Sequence, residues 1–372
     1  MHAHIIYFNY LNPDGNGMSI GGIQTYITNL IPVLNDCEYQ VTVYQRSETD
    51  FHKQLSDCDV YGIGHPKNHC QETSKALIER VLPHIDLAND LLIYGCETCI
   101  TRRVPCRTIA IQHGILWDVP SDECSKFRYF RRFIWKCHMA WQVNQRVNKV
   151  NQLVCVDYNF VNWQRATTPY PQTRLFVIPN FSAIPPSKPQ KNNININIIF
   201  ARRFFTHRGT RLFTQVAKLL LAKHRNIEIT IAGTGPDAKY IHQELDIFDN
   251  VEFMTYESHE SMKIHESKDI AVIPTIGSEG TSLSLLEAMA AGCAVVCTNV
   301  GGMTNIVIDG YNGLMINPDV ESLYEAIEKL IYDSILRAKL QENAYNTVRD
   351  AFSLDVWKER WTKIINSNNL SS

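Results

Sequence analysis

The chain has 372 residues, 45% hydrophobic and 20% charged, with a formal net charge of −2. That is enough for two domains of ordinary globular composition. The near-neutral balance excludes a global field that would select nucleic acid, and no apolar run reaches the about 18 residues of a membrane-spanning helix.

In chain order, the first residues are too short and unflanked for a signal peptide and read as a first strand over 4–8. Further strands are expected at 41–45, 59–63, 91–94, 108–112, 153–157 and 175–178. Helical patterns lie between them, clearest at 23–34 and 74–81. Such alternation predicts a parallel α/β sheet. Residues 182–193 are proline-rich and polar and read as a linker. A second series follows, with strands at 196–201, 227–232, 251–254, 270–274, 294–298 and 314–316. Its helices are expected at 211–223, 236–245, 258–266, 282–291, 320–332 and 334–351. Trp357 and Trp361, four apart, form one apolar face of a last helix.

Eleven cysteines, odd in number and mostly in apolar surroundings, read as reduced cytosolic thiols. Cys96, Cys99, Cys106 and His113 have the softness of zinc ligands but only one C-x-x-C pair. Buried thiols are the preferred reading, and Asp57-x-Asp59 reads as strand-edge charge. No metal is expected.

The chemistry concentrates in residues 277–292. Glu279 sits in a Gly/Ser loop, and Glu287 lies eight residues on, inside an apolar helical run that ends at Gly292. Thr281 and Ser282 are N-cap candidates, so a helix begins between the two acids. Eight residues of helix rise about 12 Å, and a helix N-terminus favours an anion. The pattern suits an elongated ligand with hydroxyls at both ends and phosphate between, as in a nucleotide sugar. The bland alternative is a pair of solvated surface acids.

This segment resembles the E-x7-E signature of retaining glycosyltransferases of family 4. The resemblance implies the GT-B fold: α/β, two Rossmann-like doubly wound domains facing a central cleft. It implies an acceptor-side domain over 1–182, a nucleotide-sugar domain over 194–350, and a C-terminal helix at 351–372 that crosses back onto the first domain. Arg203 to Gly209 resembles the family's Arg-Leu-x-x-x-Lys-Gly loop, with Arg208 in the lysine place, so Arg203 and Arg208 are expected to hold the donor diphosphate. Arg202 and His207, beside them, carry no assigned role. Gly21 and Gly22 match the Gly-Gly turn that faces the donor phosphate. Glu287 is implied to bind the ribose. Glu279 is implied to meet donor-sugar hydroxyls and steady positive charge on the ring. Backbone N–H groups near Ser282 and Leu283 are implied to hold the leaving diphosphate. His113 resembles the family's histidine beside the donor sugar, and Asp118 is a candidate acceptor contact. Ala294 stands where the family has proline, and Asn305 where it has glutamate.

The implied activity is retaining transfer from a nucleotide sugar to a glycan or lipid-linked acceptor, in bacterial surface polysaccharide synthesis and with no cofactor. Two rivals stand beside it. Residues 233–238 fit the G-x-G-x-x-A dinucleotide fingerprint, with Glu252 near the ribose place, which would suit an NAD(P)-dependent oxidoreductase. They follow the second strand of their domain, however, and Pro236 removes a backbone donor. The other rival is a non-catalytic sugar-binding protein of the same fold. Finally, residues 126–156 contain no acid and mix arginines and lysines with aromatics. Residues 126–149 could lie on an anionic membrane, placing a cytoplasmic protein at the inner face of the plasma membrane.

Overall fold

A computed structural model describes residues 1–64, 70–118, 126–168, 174–191, 194–257 and 260–367. The chain divides into two compact units. Unit 1 comprises Met1–His113, Asp122–Ile178 and Lys358–Ser372, and unit 2 comprises Gly114–Ser121 and Pro179–Trp357.

Unit 1 begins β1 (His2–Ile6), α1 (Gly22–Asp36), β2 (Gln40–Ser47), β3 (Phe51–Gln54) and β4 (Asp59–Gly64). It continues through α2 (Cys70–Val81), β5 (Leu91–Tyr94), β6 (Arg107–Gln112), α3 (Lys126–Val147), β7 (Gln152–Cys155), α4 (Tyr158–Thr167) and β8 (Leu175–Val177). The strands form one sheet in the order β3-β4-β2-β1-β5-β6-β7-β8. All pairs are parallel except β3 with β4. The sequence gives no sign of β3, because its four residues, Phe-His-Lys-Gln, alternate between half-buried and exposed at a sheet edge. The winding reverses between β1 and β5.

Unit 2 contains β9 (Ile196–Ala201), α5 (Thr210–Lys223), β10 (Ile227–Ala232), α6 (Ala238–Leu245), β11 (Val251–Met254), α7 (Ser261–His265) and β12 (Ile270–Ile273). Next come α8 (Leu283–Ala290), β13 (Ala294–Thr298), β14 (Leu314–Ile316), α9 (Val320–Tyr332) and α10 (Ser334–Ala351). The order β11-β10-β9-β12-β13-β14 is wholly parallel, with the reversal between β9 and β12. Strand alternation sends Ile198 and Phe200 to one face, against α5 and α9, and Ile199 and Ala201 to the other, against α8. Phe200 stacks on Phe213 at 4.8 Å. Burying each such ring contributes about 1.5–3 kcal/mol.

The proline-rich segment is laid on unit 2. Lys191 Nζ donates to the carbonyls of His265 (3.2 Å), Glu266 and Ala291 (2.7 Å). One ammonium thereby serves the C-terminal ends of α7 and α8, where the helix dipole favours a cation. The last helix, α11 (Leu354–Asn366), starts in unit 2 and ends in unit 1. Trp357 packs on Phe181 within unit 2, while Trp361 Nε1 donates to Tyr26 Oη at 2.9 Å within unit 1.

Candidate functional site

In an open parallel sheet, the loops after the two strands at the reversal part company and leave room for a ligand. In unit 2 these are the loop after β9, Arg202 to Gly209, and the loop after β12, Thr275 to Ser282. Both are held by close glycine contacts. A Cβ on Gly209 (φ +79°) would lie 1.8 Å from the Pro274 carbonyl oxygen, so the β9 loop crosses directly over the end of β12. A Cβ on Gly301 would lie 2.1 Å from the Glu279 carbonyl oxygen, and Gly302 N–H donates to that oxygen at 3.0 Å.

Three further contacts fix the β12 loop. Ser278 adopts φ +56°, rare for a residue with a side chain, and its N–H donates to the Asp118 carbonyl. Asn180 N–H donates to Thr281 Oγ1 at 2.8 Å, and its side-chain amide donates to the Thr281 carbonyl. The result is a rigid backbone around Glu279 that ends in the first turn of α8.

The side chains on this frame form one charged network. Glu279 Oε2 accepts from Arg202 Nη2 at 2.6 Å, from Arg208 Nη1 and from Thr275 Oγ1 at 3.1 Å. Burial raises the Glu279 pKa, but the two guanidinium charges and these hydrogen bonds outweigh it and hold it at about 2. Arg202 Nη1 also donates to Ser282 Oγ (3.1 Å) and Ser284 Oγ (3.0 Å). Ser282 is the N-cap of α8, yet its hydroxyl makes no cap bond, so its side chain satisfies none of the helix's first N–H groups. Glu287, one turn further in, accepts from Ser261 Oγ. Burial raises its pKa against that bond and the charge of Arg202.

The structure thus brings Arg208, Glu279, Ser282 and the start of α8 together, with Glu287 within electrostatic reach through Arg202. Arg203 points differently: it is exposed, with its guanidinium 5.7 Å from the Phe205 ring centre. Sequence reasoning left Arg202 unassigned and did not find Thr275, Ser284, Ser261 or Asn180. Only the doubled arginine at 202–203 hinted that one of the pair turns inward. The side chain of Asp118 is exposed, and its backbone carbonyl is what touches the Glu279 loop.

In unit 1, Gly21 and Gly22 follow β1 at the reversal point, and His113 follows β6, one strand beyond β5. Gly21 is the N-cap of α1 and offers no side-chain cap. His113 Nε2 meets the Gly95 carbonyl oxygen at 2.9 Å, and its ring stands edge-on to Tyr26 at 5.3 Å. Burial lowers its pKa to about 4, despite the opposing Gly95 bond. The imidazole is therefore neutral at pH 7; with the proton on Nε2, Nδ1 is left as an acceptor. Cys96 and Cys99 lie with sulfurs 3.3 Å apart, and His113 is turned to Gly95.

The dinucleotide fingerprint is occupied by protein. A Cβ on Gly233 would lie 2.1 Å from the Arg202 carbonyl oxygen, and one on Gly235 2.6 Å from that of Phe204. Phe204 N–H donates to the Thr234 carbonyl, and Asp237 N–H to the Phe204 carbonyl. The turn braces the arginine loop, and it follows β10, away from the reversal point. This arrangement does not favour a nicotinamide enzyme.

Residues 185–347 match the family model described as glycosyl transferases group 1. The capsular polysaccharide biosynthesis glycosyltransferase CapM of Staphylococcus aureus is 27% identical over 173 residues, 45% of each chain. The chain spans only 24 to 44% of the length of the first curated relatives it matches. Among solved structures, a sucrose-phosphate synthase of Thermosynechococcus elongatus gives a TM-score of 0.75 at 16% identity over 98% of both chains. Anabaena HepE in complex with UDP-glucose gives 0.70 at 14% identity, over 99% of this chain and 100% of that one. The chain therefore has the GT-B fold, and its second unit carries the match to the glycosyl transferases group 1.

Proposed function

We propose that the chain is a retaining glycosyltransferase of family 4, moving a sugar from a nucleotide-sugar donor to a glycan or lipid-linked acceptor in bacterial surface polysaccharide synthesis. One observation carries the proposal: Arg208 and Glu279 meet at the uncapped start of α8, at the reversal point of unit 2. The diphosphate of the donor lies against Arg208 and the first N–H groups of α8, with Arg203 as a further cation on the same loop. Glu287 takes the ribose hydroxyls. Glu279, ionised at working pH, faces the sugar and steadies positive charge that grows on its ring as the diphosphate departs. His113 accepts a hydroxyl group through a neutral imidazole. Fixed guanidinium groups supply the positive charge the leaving group needs, so no metal cofactor is proposed. The similarity to CapM and to HepE, whose structure contains UDP-glucose, supports this reading.

The acceptor side includes a membrane proposal. Phe130, Phe133, Ile134 and Trp141 are exposed and lie on one stripe of α3, with the exposed Arg131 beside it. The side chains of 126–129 lie outside the described residues. This stripe suits an anionic lipid surface, from which a lipid-linked acceptor would be taken. No helix among the described residues is long and apolar enough to cross a membrane.

The test is a thermal-shift panel of UDP-, GDP- and ADP-sugars with NADH as control, followed by transfer of labelled sugar to membrane extracts. At least one nucleotide sugar should raise the melting temperature and NADH should not. A shift with NADH alone would support the oxidoreductase. Transfer that survives Glu279→Ala would argue against these catalytic assignments.

A further inference from the structure

We infer that Arg202, which lies beside the two-arginine motif and not within it, is a third diphosphate-positioning residue, and that Glu279 holds its guanidinium until the donor arrives. The inference rests on the nucleotide-sugar reading above and extends it to a residue that the motif does not contain.

The Arg202 side chain is 6% exposed. It leaves the end of β9 and reaches the start of α8, where it donates to Ser282 Oγ, Ser284 Oγ and Glu279 Oε2. A cation at a helix N-terminus opposes the helix dipole, and a buried cation needs a counter-charge. Here a single carboxylate oxygen, Glu279 Oε2, serves Arg202, Arg208 and Thr275 at once. Two guanidinium groups against one carboxylate leave an excess positive charge beside N–H groups that the N-cap side chain does not satisfy. That excess suits a diphosphate, whose oxygens can take the same guanidinium donors in the bidentate geometry arginine favours.

Glu279 thus acts as a stand-in anion for the diphosphate on these two arginines. When a diphosphate takes its place on Arg202 and Arg208, the carboxylate is freed toward the sugar. The exchange links occupancy of the diphosphate subsite to readiness of the carboxylate. Glu279 therefore competes with the diphosphate for the arginines while serving the later chemical step, so removing its charge has opposite effects on the two.

The experiment is calorimetric titration of UDP, GDP, ADP and inorganic pyrophosphate into the full chain. The proteins are the wild type, Arg202→Met, Arg202→Lys and Glu279→Gln. Arg202→Met should weaken the diphosphate that binds the wild type by about tenfold or more, leaving affinity for the corresponding nucleoside unchanged. Arg202→Lys should fall between the two. Glu279→Gln should bind the same diphosphate several-fold tighter while its sugar transfer falls. A wild type that binds none of these ligands would sink the donor reading, and this inference with it. Diphosphate binding in the wild type that is equally tight in Arg202→Met, or unchanged or weaker in Glu279→Gln, would overturn this inference alone. Should Arg202→Met fail to fold, the lysine and glutamine variants still decide the matter.

Discussion

Glu279 and Glu97 are both buried acids, and their surroundings drive their pKa values in opposite directions. The Glu279 pKa, at about 2, lies below the usual 4.5, so this group contributes stability above pH 4.5 that is lost as pH falls through about 2. Removing its charge leaves two largely buried guanidinium groups without a counter-charge. Glu279→Gln should therefore lower stability at pH 7 by about 3 kcal/mol or more, and pyrophosphate should restore part of the loss in a melting experiment. Glu97 is 2% exposed, and its Oε1 has no hydrogen-bond partner in the described structure. Burial raises its pKa to about 7, against a bond from its own backbone N–H and the charge of Arg146. It is an acid whose folded pKa is raised, so its cost grows as pH rises from 4.5 through about 7. Glu97→Gln should stabilise the protein at pH 8 by on the order of 2–3 kcal/mol, with no gain near pH 4.5, as read by denaturant titration. A gain independent of pH would contradict this. At this scale the sequence is informative where spacing carries the chemistry. Glu279, Glu287 and Arg208 are legible from the eight-residue separation and the arginine–glycine step. Which of Arg202 and Arg203 turns inward is not legible, because the chain leaves β9 at that point and strict alternation of faces ends with the strand. Glu97 gives no signal at all: a single acid after a strand looks like any surface charge.

Among the elements, the long apolar strands and α8 follow from alternation and from the Gly292 stop, while β3 and the true bounds of α7 do not. α7 runs only from Ser261 to His265, shorter than the expected 258–266, of which 258–259 lie outside the described residues. Trp357 and Trp361 are legible as a buried face of α11, but their partners are not, since Phe181 and Tyr26 are distant in sequence. Trp361→Phe keeps the ring and loses the N–H donor to Tyr26 Oη. It should cost about 1 kcal/mol and lower the melting temperature by a few degrees, with no change in diphosphate affinity. For α3, Phe133→Ser combined with Trp141→Ser should reduce co-sedimentation with phosphatidylglycerol vesicles, leaving binding of a soluble nucleotide sugar intact. Equal sedimentation of this variant and the wild type would remove the membrane proposal.

For the molecule as a whole, two sheets wound outward from an internal reversal are legible in the strand–helix alternation and the break at 182–193. The exact partition is less so. The break is expected to separate two domains, but residues 179–191 pack with unit 2, with Lys191 bonded to the ends of two of its helices. Residues 114–118 also belong to unit 2, although they follow β6 of unit 1. They bring the Asp118 carbonyl to the Ser278 N–H, a contact that no local pattern announces. The doubly wound topology places a strand end and a helix start at the same point, so two motifs about 70 residues apart converge there on one charged network. The most direct measurement is titration of UDP, GDP and ADP against the wild type and Arg208→Ala by calorimetry. The account predicts saturable binding of at least one of them, weakened by about tenfold or more in the variant. Equal affinity in both proteins, or no binding to either, would contradict it.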